Sequence, residues 1–186
     1  MKNNLKKIAL ALAVVLGGAM AQAWDWTSYC EALEGNRWIV KAGVGYGYSL
    51  VNMDHGVKGA AGGFALPIQG EFLLGKIPLG ITLDFRPMWG KYSGMKTSSI
   101  ALMAGANYHV SPGPKWLDLY AGMEMGFFYS WLEYEFSYIE ETEKLKGAGF
   151  AFGAHVGASF FFTKHFGVNA EVGYPTLVSA SAAFTF

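Results

Sequence analysis

The feature that most limits what this chain can become is an alternation of period two that recurs in eight separate segments. In the last of them Val178, Ala180, Ala182, Phe184 and Phe186 share one face, while Ser179, Ser181, Ala183 and Thr185 share the other. The stretch 150–163 sets Phe150, Phe152, Ala154, Val156, Ala158, Phe160 and Phe162 against Ala151, Gly153, His155, Gly157 and Ser159. Further back, Leu117, Leu119, Ala121, Met123, Met125, Phe127 and Tyr129 oppose Asp118, Tyr120, Gly122 and Glu124, and Leu79, Ile81, Leu83 and Phe85 oppose Thr82, Asp84 and Arg86. The first segment sets Trp38, Val40, Ala42, Val44 and Tyr46 against Lys41, Gly43 and Gly45. Successive side chains of a strand point to opposite faces, so this is strand periodicity. The apolar face carries no charge in any of these segments.

Composition says which way the apolar face points. Hydrophobic residues make up 52% of the chain and charged residues only 15%. The second face is built mostly of Gly, Ala, Ser and Thr, a poor exterior for a soluble barrel but a suitable lining for a narrow lumen. A lipocalin-like barrel would also require Gly35 and Trp38 to stand one residue closer together. Brief turn sequences, GKIP, SPGPK and TKHFG, alternate with longer links at residues 51–62, 91–98 and 131–146. Short turns at one end, long links at the other and an even strand count describe an outer-membrane barrel. The expected fold is all-β: an eight-stranded antiparallel up-and-down transmembrane β-barrel over residues 37–186.

The N-terminus carries Lys2, Lys6 and Lys7, an apolar run from Ile8, and the triplet Ala21, Gln22, Ala23. This pattern reads as a signal peptide, residues 1–23, cleaved after Ala23; the run is shorter than the roughly 20 residues of a membrane helix. Its removal takes away three lysines and leaves a mildly acidic chain with no basic surface for nucleic acid. Residues 24–36 form a periplasmic N-terminal segment, in which Ser28 stands three residues before Glu31 and Gly35 ends a capped turn. Cys30, the one cysteine, excludes an internal disulfide and reads as a free thiol.

Aromatic residues gather at two depths, as interfacial belts do. Trp38, Tyr108, Trp116, Phe160, Phe184 and Phe186 mark the short-turn end; Tyr46, Phe64, Trp89, Tyr129, Trp131, Phe150 and Tyr174 mark the other. With its alternation ending in Phe184 and Phe186, the chain resembles the small eight-stranded outer-membrane barrels of the type of OmpA's membrane domain and OmpX. The resemblance implies the fold, a bacterial outer-membrane location, and a terminal insertion signal at Phe184 and Phe186 that the barrel-assembly machinery reads. It implies outer-membrane lipid and lipopolysaccharide as surroundings, and it implies little about activity.

Two constellations are candidates for function. The lumen face carries Lys41 and Arg86 against Glu71, Asp84, Glu124 and Glu171, with Gln69, Asn107, His109, His155 and Asn169 among them. Eight strands enclose little more than their own side chains, so these residues are expected to pair into a plug, the alternative being a narrow small-solute channel. The second candidate is the 131–146 hairpin, where Trp131 begins a run past the membrane-spanning length and Leu132, Tyr134, Phe136 and Tyr138 share a face opposite Glu133 and Glu135. An exposed strand edge there suits an extracellular protein partner. No ligand spacing makes His109 and His155 a metal site, no cofactor motif is present, and no Ser and His pair is anchored on strands, so an enzyme is not expected. The expected protein is a monomer with a structural or surface-interaction role.

Overall fold

The computed structural model describes residues 25–52, 58–92, 95–135 and 142–186. Nine strand segments run in chain order: β1 (Trp38–Asn52), β2 (Lys58–Ala65), β3 (Ile68–Leu73), β4 (Leu79–Tyr92), β5 (Met95–Val110), β6 (Leu117–Glu135), β7 (Thr142–Phe161), β8 (Phe166–Tyr174) and β9 (Thr176–Thr185). All pairings are antiparallel, and β1 pairs with β9 from Ile39↔Thr185 to Gly47↔Thr176, which closes the sheet. Segments β2 and β3 are two halves of one stave, since both pair β1 on one side and β4 on the other. The barrel therefore has eight staves. Closure leaves the β1–β9 seam with no lipid-facing backbone edge, where each unsatisfied group would cost several kcal/mol.

The break between β2 and β3 falls at Leu66 and Pro67. Proline has no N–H to give to a ladder. The flanking strands bridge the gap through its other groups: Gly43 N donates to Pro67 O at 3.1 Å and Leu66 N to Pro87 O at 3.0 Å. The sequence pattern alone treats this stave as continuous, because Phe64, Leu66 and Ile68 keep the outward parity across the proline.

Outward side chains are apolar and exposed. Phe127 stands 72% exposed, Met123 61% and Phe150 61%, whereas Glu71, Asn107, His109 and Asp118 on the other face are fully buried. A surface this apolar needs a nonpolar surrounding. Among the described residues no helix is long and apolar enough to cross a membrane; strands carry the apolar surface.

The described residues of the links at 51–62, 91–98 and 131–146 are strand, not loop. Strand β4 runs to Tyr92 before β5 starts at Met95, and β6 with β7 continue as a ladder out to Glu135↔Thr142. Beyond the upper aromatic belt the outward face no longer needs to be apolar, so lysine, serine and glutamate enter a strand pattern that composition assigns to loops. The result is a slanted rim: β6 and β7 have 19 and 20 residues, β8 and β9 only 9 and 10.

The short-turn mouth is filled by the N-terminal segment. Asp25 bridges to Ser111, Glu31 pairs with Lys115 at 2.8 Å, and Tyr29 Oη donates to Leu79 O at 2.7 Å. Cys30 and Leu33 are buried against Ile39, Leu73, Phe161 and Ala183, which come from β1, β3, β7 and β9. Residues 31–35 form turns closed by Leu33 N to Cys30 O and Glu34 N to Glu31 O, ending at Gly35 with φ of 84°. The expected stop at Gly35 is there, whereas Asp25 organises residues 27 and 28 upstream of the turns rather than capping them. Its carboxylate accepts from Ser28 Oγ at 2.5 Å and from Thr27 N at 2.8 Å. These bonds, that of Ser28 foremost, hold the Asp25 carboxyl down at about 2.

Candidate functional site

The lumen charges form one network. Lys41 Nζ lies 3.3 Å from Glu71 Oε2, donates to Gln69 Oε1 at 3.1 Å, and sits 3.9 Å over the Tyr120 ring. Glu71 also accepts from Asn107 Nδ2 at 3.0 Å and from His109 Nε2 at 2.7 Å. The other ring nitrogen, His109 Nδ1, is 2.9 Å from Asp118 Oδ2. With both nitrogens facing carboxylates, the ring's hydrogen bonds are met when each carries a proton and donates. No nitrogen of His109 is left for a metal.

A second group centres on Arg86. Its Nε and Nη2 donate to the two oxygens of Asp84 at 3.0 and 2.8 Å, a bidentate pair, and Nη2 lies 3.0 Å from Glu124 Oε1. Neither Glu124 oxygen accepts an aligned hydrogen bond among the described residues. Glu171 joins through Tyr120, whose Oη donates to Glu171 Oε2 at 2.9 Å while accepting from Asn169 Nδ2 at 2.8 Å. His155 Nε2 lies 2.8 Å from Asn107 Oδ1 and 4.0 Å from Glu171 Oε2, which ties the two groups together.

All six lumen charges singled out in the sequence, Lys41, Glu71, Asp84, Arg86, Glu124 and Glu171, are thus brought together. Asp118 and Tyr120 were missed as members, although they share the parity of Glu124 on β6. Room for these side chains comes from glycines on neighbouring strands. A Cβ at Gly157 would lie 2.3 Å from Tyr120 Cζ, and one at Gly122 would lie 2.0 Å from Asn107 Oδ1.

Apolar layers close the network off at both ends. On the short-turn side stands the layer of Tyr29, Cys30, Leu33, Leu73 and Phe161. On the other side Met88, Met103 and Phe128 meet across the lumen with Ala65, Ala101 and Ala151. Between Lys41, Gln69, Asp84 and Glu171 there remains a cavity of about 10 Å³, the room a single water needs. Burial pushes the Cys30 thiol up to about 12. A thiol held protonated is a poor nucleophile. In folded protein at pH 8 Cys30 is therefore expected to resist iodoacetamide and to label only on unfolding, which mass spectrometry of the intact chain reads directly.

The hairpin residues divide. Trp131 is partly exposed on the outward face and pairs with Lys146 across the ladder; Leu132 turns fully into the lumen. Tyr134 pairs with Glu143 along the backbone of β6, and its side chain lies outside the described ones. Phe136 and Tyr138 fall outside the described residues, as does the leader 1–23. Phe184 and Phe186 point outward at the short-turn rim, where Phe186 N donates to Trp38 O at 3.0 Å and Phe186 O accepts from Arg37 N at 2.7 Å.

A closed eight-stave barrel with an apolar exterior and a polar lumen agrees with what the sequence matches. The family model described as the outer membrane protein beta-barrel domain covers residues 9–183. The chain belongs to this family. No curated protein matches the sequence of this outer-membrane barrel. Among solved structures it is similar to Neisserial surface protein A, with a TM-score of 0.58 at 15% identity over 80% of this chain and 97% of that one. The N-terminal barrel domain of OprF from Pseudomonas aeruginosa gives 0.49 at 12% identity, covering 81% and 98%. Ail of Yersinia pestis, solved with the heparin analogue sucrose octasulfate, gives 0.48 at 14% identity with the same coverage. Identities this low speak to fold alone.

Proposed function

We propose that this outer-membrane barrel is a non-catalytic, monomeric surface-interaction protein, with both termini periplasmic, and that the outer extension of β6 and β7 is its working part. The observation that carries the reading is the slanted rim. Strand β7 pairs with β8 from Ala154 onward, whereas its ladder with β6 continues out to Glu135↔Thr142. About 10 residues span a membrane, and the segment 142–149 stands beyond the belt marked by Phe150, reaching roughly 25 Å along the strand. A strand hairpin standing this far above the belt offers an extracellular protein a surface to dock against. Phe184 and Phe186 are where we place the signal read by the assembly machinery, and lipid with lipopolysaccharide is the surrounding of the apolar face.

The small-solute channel is disfavoured by the filled lumen. Among the described residues two apolar layers bracket the network, and the space beside Lys41 is that of one water. Planar-bilayer recordings of the refolded barrel are expected to be silent; discrete steps altered by Arg86→Gln or Glu124→Gln would make the lumen a conduit and displace this reading. The surface role is tested by displaying wild type and a variant with residues 133–144 replaced by a two-residue turn on cells, then measuring retention on immobilised extracellular proteins. Thr142→Pro with Lys144→Pro, which disrupts the β6–β7 ladder of the extension, is expected to reduce retention as far as the deletion does. Equal retention by all forms rules the extension out.

A further inference from the structure

Two apolar grooves adjoin on the outward face of β6 to β9, toward the short-turn end of the barrel. The first, of about 540 Å³, lies over Ala121, Ala158 and Ala170 between Tyr108 and Val172. The second, of about 410 Å³, lies over Ala170, Ala180 and Ala182 beside Phe160 and Val168. The two meet at Ala170. Register explains the hollows: Ala158, Ala170 and Ala180 are direct partners on β7, β8 and β9, whereas the row above them is Val156, Val172 and Val178 and the row below begins with Phe160 and Val168. Methyl groups thus form the floor, and larger side chains form the walls.

At the rim below these grooves the β5–β6 and β7–β8 turns enclose a cleft of about 160 Å³, lined by Trp116, Phe162, Thr163 and Lys164, with Lys115 and Glu31 on its far side. Lys115 is already paired with Glu31 at 2.8 Å. Lys164 is exposed, and no carboxylate pairs with it among the described residues. Thr163 Oγ1 accepts from His165 N at 3.2 Å and from Phe166 N at 3.0 Å. With both lone pairs occupied, this hydroxyl has only its proton left to offer, as a donor. The cleft therefore presents one unanswered positive charge beside one hydroxyl donor, which is the complement of a singly charged phosphodiester.

Depth joins the cleft to the grooves. Trp116 and Phe162 belong to the aromatic belt at headgroup level. Along β8, Ala170 stands about 13 Å beyond Phe166 and Val172 about 20 Å, which for a strand tilted by about 40° is about 15 Å of depth. One leaflet supplies about 15 Å of hydrocarbon. The cleft and both grooves thus fall within a single leaflet, and an unfilled groove at that depth forfeits its dispersion contacts. Two grooves that meet at one residue suit two chains that are joined at one end.

We infer that this face binds one phospholipid of the leaflet at the short-turn end, a lipid with two acyl chains and a single net negative charge. Its phosphodiester sits on Lys164 and Thr163, and one chain lies in each groove. A headgroup that also carries an ammonium, as an ethanolamine lipid does, is disfavoured, because Glu31 is already taken by Lys115.

The test titrates the refolded, detergent-solubilised barrel with phosphatidylglycerol, its single-chain lyso form, phosphatidylethanolamine and inorganic phosphate, reading bound molecules by native mass spectrometry. One phosphatidylglycerol is expected per barrel, held about 5-fold more tightly than phosphatidylethanolamine and at least about 10-fold more tightly than the lyso form. Inorganic phosphate is expected not to compete. Lys164→Gln is expected to erase the headgroup preference and keep the preference for two chains. Ala158→Leu, Ala170→Leu and Ala180→Leu together, which fill the grooves without losing the apolar exterior, are expected to do the reverse. Ala104→Leu, on the outward face of β5 and outside both grooves, is expected to change neither. Heat-modifiable mobility confirms that each variant is folded. Equal affinity for the two diacyl lipids, equal affinity for one chain and two, competition by inorganic phosphate, or a preference that survives its own variant overturns the inference. The site lies at the opposite end of the barrel from the β6–β7 extension, so a failed titration leaves the surface role standing, and equal retention of the extension variants leaves the lipid site standing.

Discussion

Arg86→Gln is expected to cost about 3–5 kcal/mol of barrel stability, the usual penalty for removing one partner of a buried ion pair. Arg86 is 2% exposed and holds Asp84 through two bonds while standing 3.0 Å from Glu124. Without it two buried carboxylates face one another, with Glu171 nearby, and Lys41 is already engaged with Glu71. A glutamine fills much of the space but brings no charge. The loss is measured as the shift in urea midpoint of the refolded barrel in lipid vesicles. Adding Asp84→Asn and Glu124→Gln to Arg86→Gln removes the uncompensated charge, and this triple variant is expected to recover most of the stability. A single variant as stable as the parent, or a triple variant that recovers nothing, would show that the pairing is incidental. The pairing does not itself imply that the network is the most stable filling, since well-packed apolar groups often replace buried ion pairs at no loss.

Leu33→Ala is expected to undock the N-terminal segment while leaving the barrel closed. Leu33 is 1% exposed in a layer with Ile39, Leu73 and Phe161, and truncating such a side chain costs about 2–5 kcal/mol. Because the segment is held by its own few contacts, the cost falls on a local opening equilibrium. A loss of about 3 kcal/mol there corresponds to roughly a 100-fold rise in the population of the opened segment. Cys30, the neighbouring buried thiol, is expected to label with iodoacetamide about 100-fold faster in Leu33→Ala, with the urea midpoint of the barrel little changed. Labelling that tracks global unfolding instead would mean that the segment and the barrel are one cooperative unit.

The staves and the inward charges could be read from alternation because one face is uniformly apolar and Lys41, Glu71, Asp84, Arg86, Glu124 and Glu171 all carry the opposite parity. The lumen's apolar closure was harder to see. Met88, Met103, Phe128 and Phe161 occupy inward positions, yet they are as hydrophobic as their outward neighbours, so period two carries no contrast there. Asp118 and Tyr120 had the right parity and were passed over because they sit at the rim of the span. The docking of residues 25–37 left no periodic trace at all. Its contacts pair a short irregular segment with strand ends more than a hundred residues away, as Asn36 Nδ2 to Lys164 O at 3.0 Å illustrates, and no local pattern encodes such a partner.

That docking also orders events in time. The pocket receiving Cys30 and Leu33 takes its walls from β1, β3, β7 and β9, so it does not exist until the last strand has zipped to the first. Whatever path the sheet follows into the bilayer, the N-terminal segment can settle only after that seam is made. The moment when Cys30 disappears from solvent therefore marks the end of assembly, and the chain's one thiol serves as a built-in clock for it.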